Sequence, residues 1–280
     1  MWSATWLRRL RMLEPVSLRD LRGFIFDMDG VIYRGDTALP GAAEFLDRLQ
    51  RLDVPFLFLT NNATMPPAKV AARLSRMGIT ADPVQIITSA EVAAAGIAQA
   101  VDGRRALVVG EEGLRLAMTD AGFALVEDHR QADVVVAALD RELTYARLRE
   151  ATLAIFRGVG FFATNLDRNL PTEDGLAPGA GAIVAALETA TGVKPVAFGK
   201  PEPGMFHYAL RRLNAPADLV AAIGDRIDTD IIGAQAAGVH TIAVLTGVST
   251  VGEMLAMRPR PEWVFPGLRE LDAAYFSRQC

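Results

Sequence analysis

The chain has one cysteine in 280 residues, and it is the last residue, Cys280. Without a second thiol no internal disulfide can form, which fits a reducing cytoplasm. Positive charge is short as well: 29 Lys and Arg against 33 Asp and Glu give a formal net charge of −4. With no basic stripe to offset it, this balance argues against a nucleic-acid binder. No apolar run approaches the ~20 residues that a membrane-spanning helix needs. The N-terminal stretch from Met1 to Arg11 has Trp2, Trp6 and several arginines but no apolar h-region, so it is not a secretory signal. It reads equally as a short amphipathic arm or as an extension ahead of a start at Met12. His129, His207 and His240 lack zinc-ligand spacing and read as structural. The scattered methionines read as core filler.

What the chain does have is apolar material, 51% of residues against 22% charged. That is ample for a buried core. At this length, two domains or one core with a large insertion is the expected organisation.

One stretch organises the rest: Gly23-Phe24-Ile25-Phe26-Asp27-Met28-Asp29-Gly30-Val31-Ile32-Tyr33. A short apolar run bounded by glycine predicts a buried strand of a parallel sheet. Ligands of open α/β sheets bind outside the carboxyl ends of the strands, so Asp27 and Asp29 fall at the mouth of a cleft. The period-two geometry of extended chain points them the same way, and Gly30 lets the chain turn away while staying close to a ligand. At ~4 Å and an effective dielectric near 20, two such carboxylates repel by roughly 4 kcal/mol. Either one is protonated or a cation sits between them. By itself the pattern also fits a solvated turn.

Along the chain, strands and helices alternate, which predicts a parallel, doubly wound sheet. Strands are expected at Val54 to Leu59, Gln85 to Ser89, Val196 to Gly199, Leu219 to Gly224, His240 to Leu245 and Trp263 to Phe265. Helices are expected between them: Ala42 to Leu52, Pro66 to Met77, one opened by Ser89 and Glu91, Met205 to Leu213, Asp230 to Ala237 and Leu268 to Phe276. Between Gly103 and about Lys194 the pattern restarts as a separate α/β unit. The expected division is an N-terminal extension over 1–17, a Rossmann-like α/β core over 18–102 and 195–280, and an inserted α/β domain over 103–194.

Four strands in this reading end in reactive polar residues: Asp27 with Asp29, Thr60, Lys200 and Asp225. In a parallel sheet all four ends lie on one edge and converge, which takes most of the weight from the turn reading. The carboxylates are hard oxygen ligands suited to magnesium. Lys200, the Thr60 hydroxyl and the backbone amides of Asn61 and Asn62 suit phosphate oxygens. An aspartate can serve as nucleophile and a second carboxyl as acid and base.

Asp27-Met28-Asp29-Gly30-Val31, Thr60-Asn61-Asn62, Lys200-Pro201 and Gly224-Asp225-Arg226-Ile227-Asp228-Thr229-Asp230-Ile231 resemble the four motifs of the haloacid dehalogenase superfamily. An insertion between the second and third motifs resembles the subfamily with a large α/β cap, which includes 4-nitrophenyl phosphatases, phosphoglycolate phosphatases, pyridoxal phosphate phosphatases and nucleotide phosphatases. The resemblance implies a magnesium-dependent phosphatase of small phosphomonoesters, working through an aspartyl-phosphate. It makes Asp27 the nucleophile and a metal ligand, and Asp29 the acid and base, with its carbonyl on the metal. Thr60 would bind phosphate, Lys200 would hold nucleophile and phosphate together, Asp225 would ligate magnesium, and Asp230 would order ligands behind it. Asp228 reads as a helix cap. Asn165, Asp167 and Arg168, in a segment that resembles the loop facing the substrate, are candidates to contact it or merely brace the loop. The resemblance also allows a homodimer through the cap, and leaves open a phosphotransferase or mutase. A receiver-like regulatory module is a further alternative, although it needs neither Asp29 nor the insertion.

Two weaker patterns read as ordinary joints. Val109-Gly110-Glu111-Glu112-Gly113 lacks the third glycine of a dinucleotide loop and reads as a tight turn. Gly179-Ala180-Gly181 ahead of a helix could bind an anion but reads first as a loop-to-helix joint.

Overall fold

The computed structural model describes residues 16–172 and 174–277. The tryptophan-bearing N-terminal arm, Met12 and Cys280 lie outside the described residues.

Gly23–Phe26 is buried along its whole length, because parallel strands are covered on both faces. Its residues alternate between two cores. Phe24 and Phe26 join Phe45, Phe56, Phe58 and Tyr275 in an aromatic cluster on one side, where Phe24 and Tyr275 meet edge to face at 5.1 Å. Ile25 packs with Leu57, Leu59, Met205 and Phe206 on the other.

The sheet built around this strand has six parallel strands. Their order is Trp263–Phe265, His240–Val244, Val220–Gly224, Gly23–Phe26, Phe56–Thr60, Ile86–Thr88. The chain winds outward from Gly23–Phe26 to one edge, leaves, and returns beside it at Val220–Gly224. Those two strands flank the topological switch point, where open α/β sheets bind their ligands. Asp27 and Asp225 follow them directly.

A second sheet of five parallel strands is ordered Val196–Ala197, Gly160–Ala163, Val134–Ala137, Arg105–Val109, Ala124–Val126. It has its own cores, Ala106, Val108, Val134 and Val136 on one face and Leu107, Val109, Val135 and Ala137 on the other. One expectation fails here: Val196–Ala197 pairs with Phe162 and Ala163 and is the edge of this second sheet, not a strand of the first. The second sheet therefore runs past residue 194, and Lys200 enters from the crossing between the sheets instead of from a core strand end.

Smaller corrections follow from local hydrogen bonds. The Ser89–Ala100 helix opens at Ser89 as expected, and Thr88 caps it, its side chain accepting from the Glu91 amide. Residues 227–231 form a π-helical turn ahead of a short α-helix, Ile232–Ala236. Asp228 does not cap that turn; it pairs with the Arg226 guanidinium at 2.9 Å. Two antiparallel hairpins went unread: Tyr33–Arg34 with Thr37–Ala38, and Asn169–Thr172 with Gly175–Pro178. Among the described residues no helix is long and apolar enough to cross a membrane.

Candidate active site

The carboxyl edge of the first sheet brings Asp27, Asp225 and Asp230 together, with one carboxylate oxygen of each within 4.8 Å of the others. Lys200 is their counter-charge. Its Nζ donates to Asp27 Oδ1 and, at 2.7 Å, to Asp230 Oδ1. Burial works against the ammonium, but the Asp230 and Asp27 carboxylates outweigh it and raise its pKa. Burial also pushes the Asp27 carboxyl well up; Lys200 opposes the shift, while Asp230 and Asp225 add to it.

Asp225 is 1% exposed. Its Oδ2 accepts from the Val248 amide at 2.6 Å, whereas its Oδ1 is buried with no hydrogen-bond partner among the described residues. Burial, with the Asp230 charge beside it, pushes this carboxyl up to about 6. Asp230 turns its other oxygen to the Arg226 amide at 3.1 Å. Gly30 makes room for the cluster: at φ +82° it is in the left-handed region, and a Cβ there would lie 2.7 Å from Asp225 Oδ2.

This donor set fits a divalent cation. With all three carboxyls ionised, one ammonium leaves two negative charges uncompensated, which is why burial pushes Asp27 and Asp225 upward. An orphaned carboxylate oxygen costs roughly 1–3 kcal/mol or more. Hard oxygen donors of this kind suit magnesium.

Asp29 lies at the exposed rim of the cleft. Surrounding protein raises its carboxyl, and Arg73 and Arg34 partly offset this. Both arginines are tied down. Arg73 donates to Asp36 Oδ1 at 2.9 Å and Gly35 O at 2.8 Å, and Arg34 donates to Thr246 O at 2.5 Å. Thr246 in turn donates to Gly30 O at 2.6 Å. The loop carrying Thr246 and Val248 was missed by the sequence reading. The signal available was its place at the end of the predicted His240 strand, on the same sheet edge as the other site residues.

Thr60 is nearly buried, and its Oγ1 accepts from the Asn62 amide at 3.1 Å, so that amide is engaged locally. The Asn62 side chain holds the Thr64 amide and hydroxyl, at 2.9 and 2.7 Å. Asn61 directs its carboxamide at Lys200 and Asp167. Asn165, 5% exposed, donates to Asn61 O at 2.8 Å and accepts from the Asp167 amide at 3.1 Å. It braces the loop. Asp167 is half-buried beside Asn61, and Arg168 is exposed.

Known proteins resemble this chain over most of its length. Family models described as "Haloacid dehalogenase-like hydrolase" and "HAD-hydrolase-like" match residues 24–124 and 197–271. The acid sugar phosphatase of Staphylococcus saprophyticus is 38% identical over 254 residues, covering 91% of this chain and 98% of that one. The 4-nitrophenylphosphatase of Thermotoga maritima superposes with a TM-score of 0.86 at 34% identity, over 92% of this chain and 98% of that one. The glycerol phosphate phosphatase of Mycobacterium tuberculosis, solved in complex with magnesium, superposes with a TM-score of 0.86 at 38% identity, over 91% of this chain and 77% of that one.

Proposed function

The chain belongs to the haloacid dehalogenase-like hydrolases and is a phosphatase, and from that premise we propose that it hydrolyses small phosphomonoesters with magnesium, through an aspartyl-phosphate on Asp27. The observation that carries this reading is the gathering of Asp27, Asp225 and Asp230 around the single ammonium of Lys200, with Asp225 Oδ1 lacking any donor among the described residues.

Asp27, Asp225 and the Asp29 carbonyl would hold the metal, with Asp230 ordering them from behind. When bound, magnesium supplies charge stabilisation to the phosphoryl oxygens. The chain does the rest. The Asp27 carboxylate attacks phosphorus, the bond to the leaving oxygen breaks, and Asp29 gives that oxygen its proton. Asp29, now a carboxylate, takes a proton from the water that attacks the aspartyl-phosphate, releasing phosphate and restoring Asp27. Lys200 offsets the charge on Asp27 and the phosphoryl group, and Thr60 offers its hydroxyl hydrogen.

The five-stranded unit acts as a cap that excludes bulk water, with Asp167 and Arg168 facing the leaving group. Sugar, polyol and nucleoside phosphates are the substrate class, in keeping with the sugar and glycerol phosphatases among the relatives. The cap also carries exposed Leu166, Leu176 and Tyr145, consistent with self-association through it, which light scattering tests. A reducing cytoplasm suits the lone cysteine.

The deciding experiment is turnover of 4-nitrophenyl phosphate, with free phosphate counted against nitrophenol. Magnesium-dependent, equimolar release that vanishes in Asp27→Asn is expected. Transfer to an added alcohol without free phosphate would replace hydrolysis by phosphotransfer.

A further inference from the structure

Lys200 must hold its ammonium against Asp27, yet it does not sit on a core strand. The preceding strand, Val196–Ala197, belongs to the edge of the second sheet, and the next helix begins at Pro203. Both backbone polar groups of Lys200 are held by one side chain. Asn61 Oδ1 accepts from the Lys200 amide at 2.8 Å, and Asn61 Nδ2 donates to the Lys200 carbonyl at 3.0 Å. Lys200 has no other backbone hydrogen-bond partner among the described residues.

The same carboxamide reaches the cap. Asn61 Nδ2 also donates to Asp167 Oδ2 at 3.1 Å, and the Asn61 carbonyl accepts from Asn165 Nδ2 at 2.8 Å and from Ser89 Oγ at 2.6 Å. Gly199 permits the approach: a Cβ there would lie 2.7 Å from Asn61 Oδ1 and 2.5 Å from the Thr164 carbonyl. Only a carboxamide can do this work. It offers an acceptor for one Lys200 group and two N–H donors for the other and for Asp167. An aspartate keeps the acceptor but sets its second oxygen against the Lys200 carbonyl and the Asp167 carboxylate.

We infer that Asn61 is a positioning residue that fixes the Lys200 backbone and ties it to docking of the Thr164–Asp167 loop, so that the ammonium is presented to Asp27 when the cap is seated. The side chain of Asn61 is thus fully used in joining three segments and is not available to phosphate. This inference rests on the phosphatase reading for its kinetic consequences, but the geometry it asserts can be tested without turnover.

The test compares wild type, Asn61→Asp, Asp167→Asn and the double variant. With 4-nitrophenyl phosphate, Asn61→Asp is expected to lower kcat by about 30-fold or more while KM changes by less than about threefold, the pattern of an interaction lost in the transition state. Asp167→Asn restores a donor to the new carboxylate. Its effect on kcat in the Asn61→Asp background is therefore expected to be more favourable, by about tenfold or more, than its effect in wild type. The second readout is limiting acetylation with acetic anhydride, followed by peptide mass spectrometry of the three lysines, Lys69, Lys194 and Lys200. Lys200, 4% exposed, should be protected in wild type, label in Asn61→Asp, and regain protection in the double variant, with Lys69 and Lys194 as internal references. Additive kinetic effects, or Lys200 labelling equal in all four proteins, would overturn the inference. Should wild type fail to hydrolyse 4-nitrophenyl phosphate, the functional reading falls and the labelling pattern alone decides the role of Asn61.

Discussion

Lys200 Nζ donates to Asp230 Oδ1 at 2.7 Å, and each side chain is only 4% open to solvent. A buried pair of this kind stabilises little relative to an apolar pair of the same volume, yet removing one partner leaves an uncompensated charge inside the protein. Lys200 here answers two carboxylates, Asp27 and Asp230, so its loss should be felt twice.

Lys200→Met is therefore expected to lower stability by about 3–5 kcal/mol and to remove turnover. The double variant Lys200→Met with Asp230→Asn removes one orphaned charge as well and should recover a good part of the stability, but none of the activity. Thermal melts of wild type, Lys200→Met, Asp230→Asn and the double variant give the coupling. Equal melting temperatures for the single and double variants would show that the two groups do not share their charge.

Part of the pH dependence of the metal-free protein follows from Asp225, with Asp27 shifted in the same direction. The Asp225 carboxyl titrates at about 6 in the folded chain, against 3.8 ordinarily, because burial and Asp230 both disfavour the anion. Between these values the folded state keeps a proton that the unfolded chain has released. Stability therefore falls as pH rises through that window. Chelator-treated protein should melt lower at pH 7 than near pH 5, and Asp225→Asn should flatten that difference. Magnesium should raise the melting temperature most at pH 7, where the carboxylates are ionised. Calorimetry across this range, with and without magnesium, checks each point; an unchanged slope in Asp225→Asn would assign the dependence to other groups.

Asp29 is expected to act in both half-reactions, and leaving groups separate them. Nitrophenolate departs without a proton, so Asp29→Asn should still form the aspartyl-phosphate from 4-nitrophenyl phosphate. Water attack then lacks its base and should slow by about 10²–10⁴-fold. A rapid burst of nitrophenol, close to one per enzyme, followed by slow release is the expected trace. Glycerol phosphate, whose alkoxide needs the proton, should give no burst. Steady turnover without a burst would place Asp29 outside the second step.

The core strands could be read from sequence because strands covered on both faces are continuous apolar runs, and each stops abruptly at a polar residue: Phe26 at Asp27, Gly224 at Asp225. Val196–Ala197 joins the second sheet against expectation because two residues carry no pattern, and only their partners Phe162 and Ala163 decide where they pair. The Tyr33–Arg34 hairpin was lost for the same reason. The Val248 amide that holds Asp225 is a backbone group, and no residue type announces it. Asp228 looked like a cap by its place before a helical turn, but Arg226, two residues earlier, offers its carboxylate a stronger partner. The role of Asn61 was invisible because its side-chain partners lie 106 and 139 residues away.

Gly113 shows how the cap bears on the site through packing. In sequence it closes an ordinary turn, yet in the fold its amide donates to the Thr64 carbonyl at 3.0 Å. A Cβ at this position would lie 2.5 Å from the Ala63 carbonyl and 2.7 Å from the Met65 backbone. Both neighbours are main chain, and they belong to the loop that leads out of Thr60, Asn61 and Asn62. Gly113→Ala must therefore push the Glu112–Asp120 helix and this loop apart. Overpacking of this kind costs about 1–3 kcal/mol, and the displaced loop should raise KM for 4-nitrophenyl phosphate, since it carries Thr60, the residue proposed to bind phosphate. The comparison is Gly110→Ala in the same turn, whose added Cβ would meet the Leu114 side chain at 2.9 Å and no backbone of the site loop. That variant should lose stability with KM unchanged. Equal KM in both variants would mean that the cap helix and the Thr60 loop are not mechanically linked.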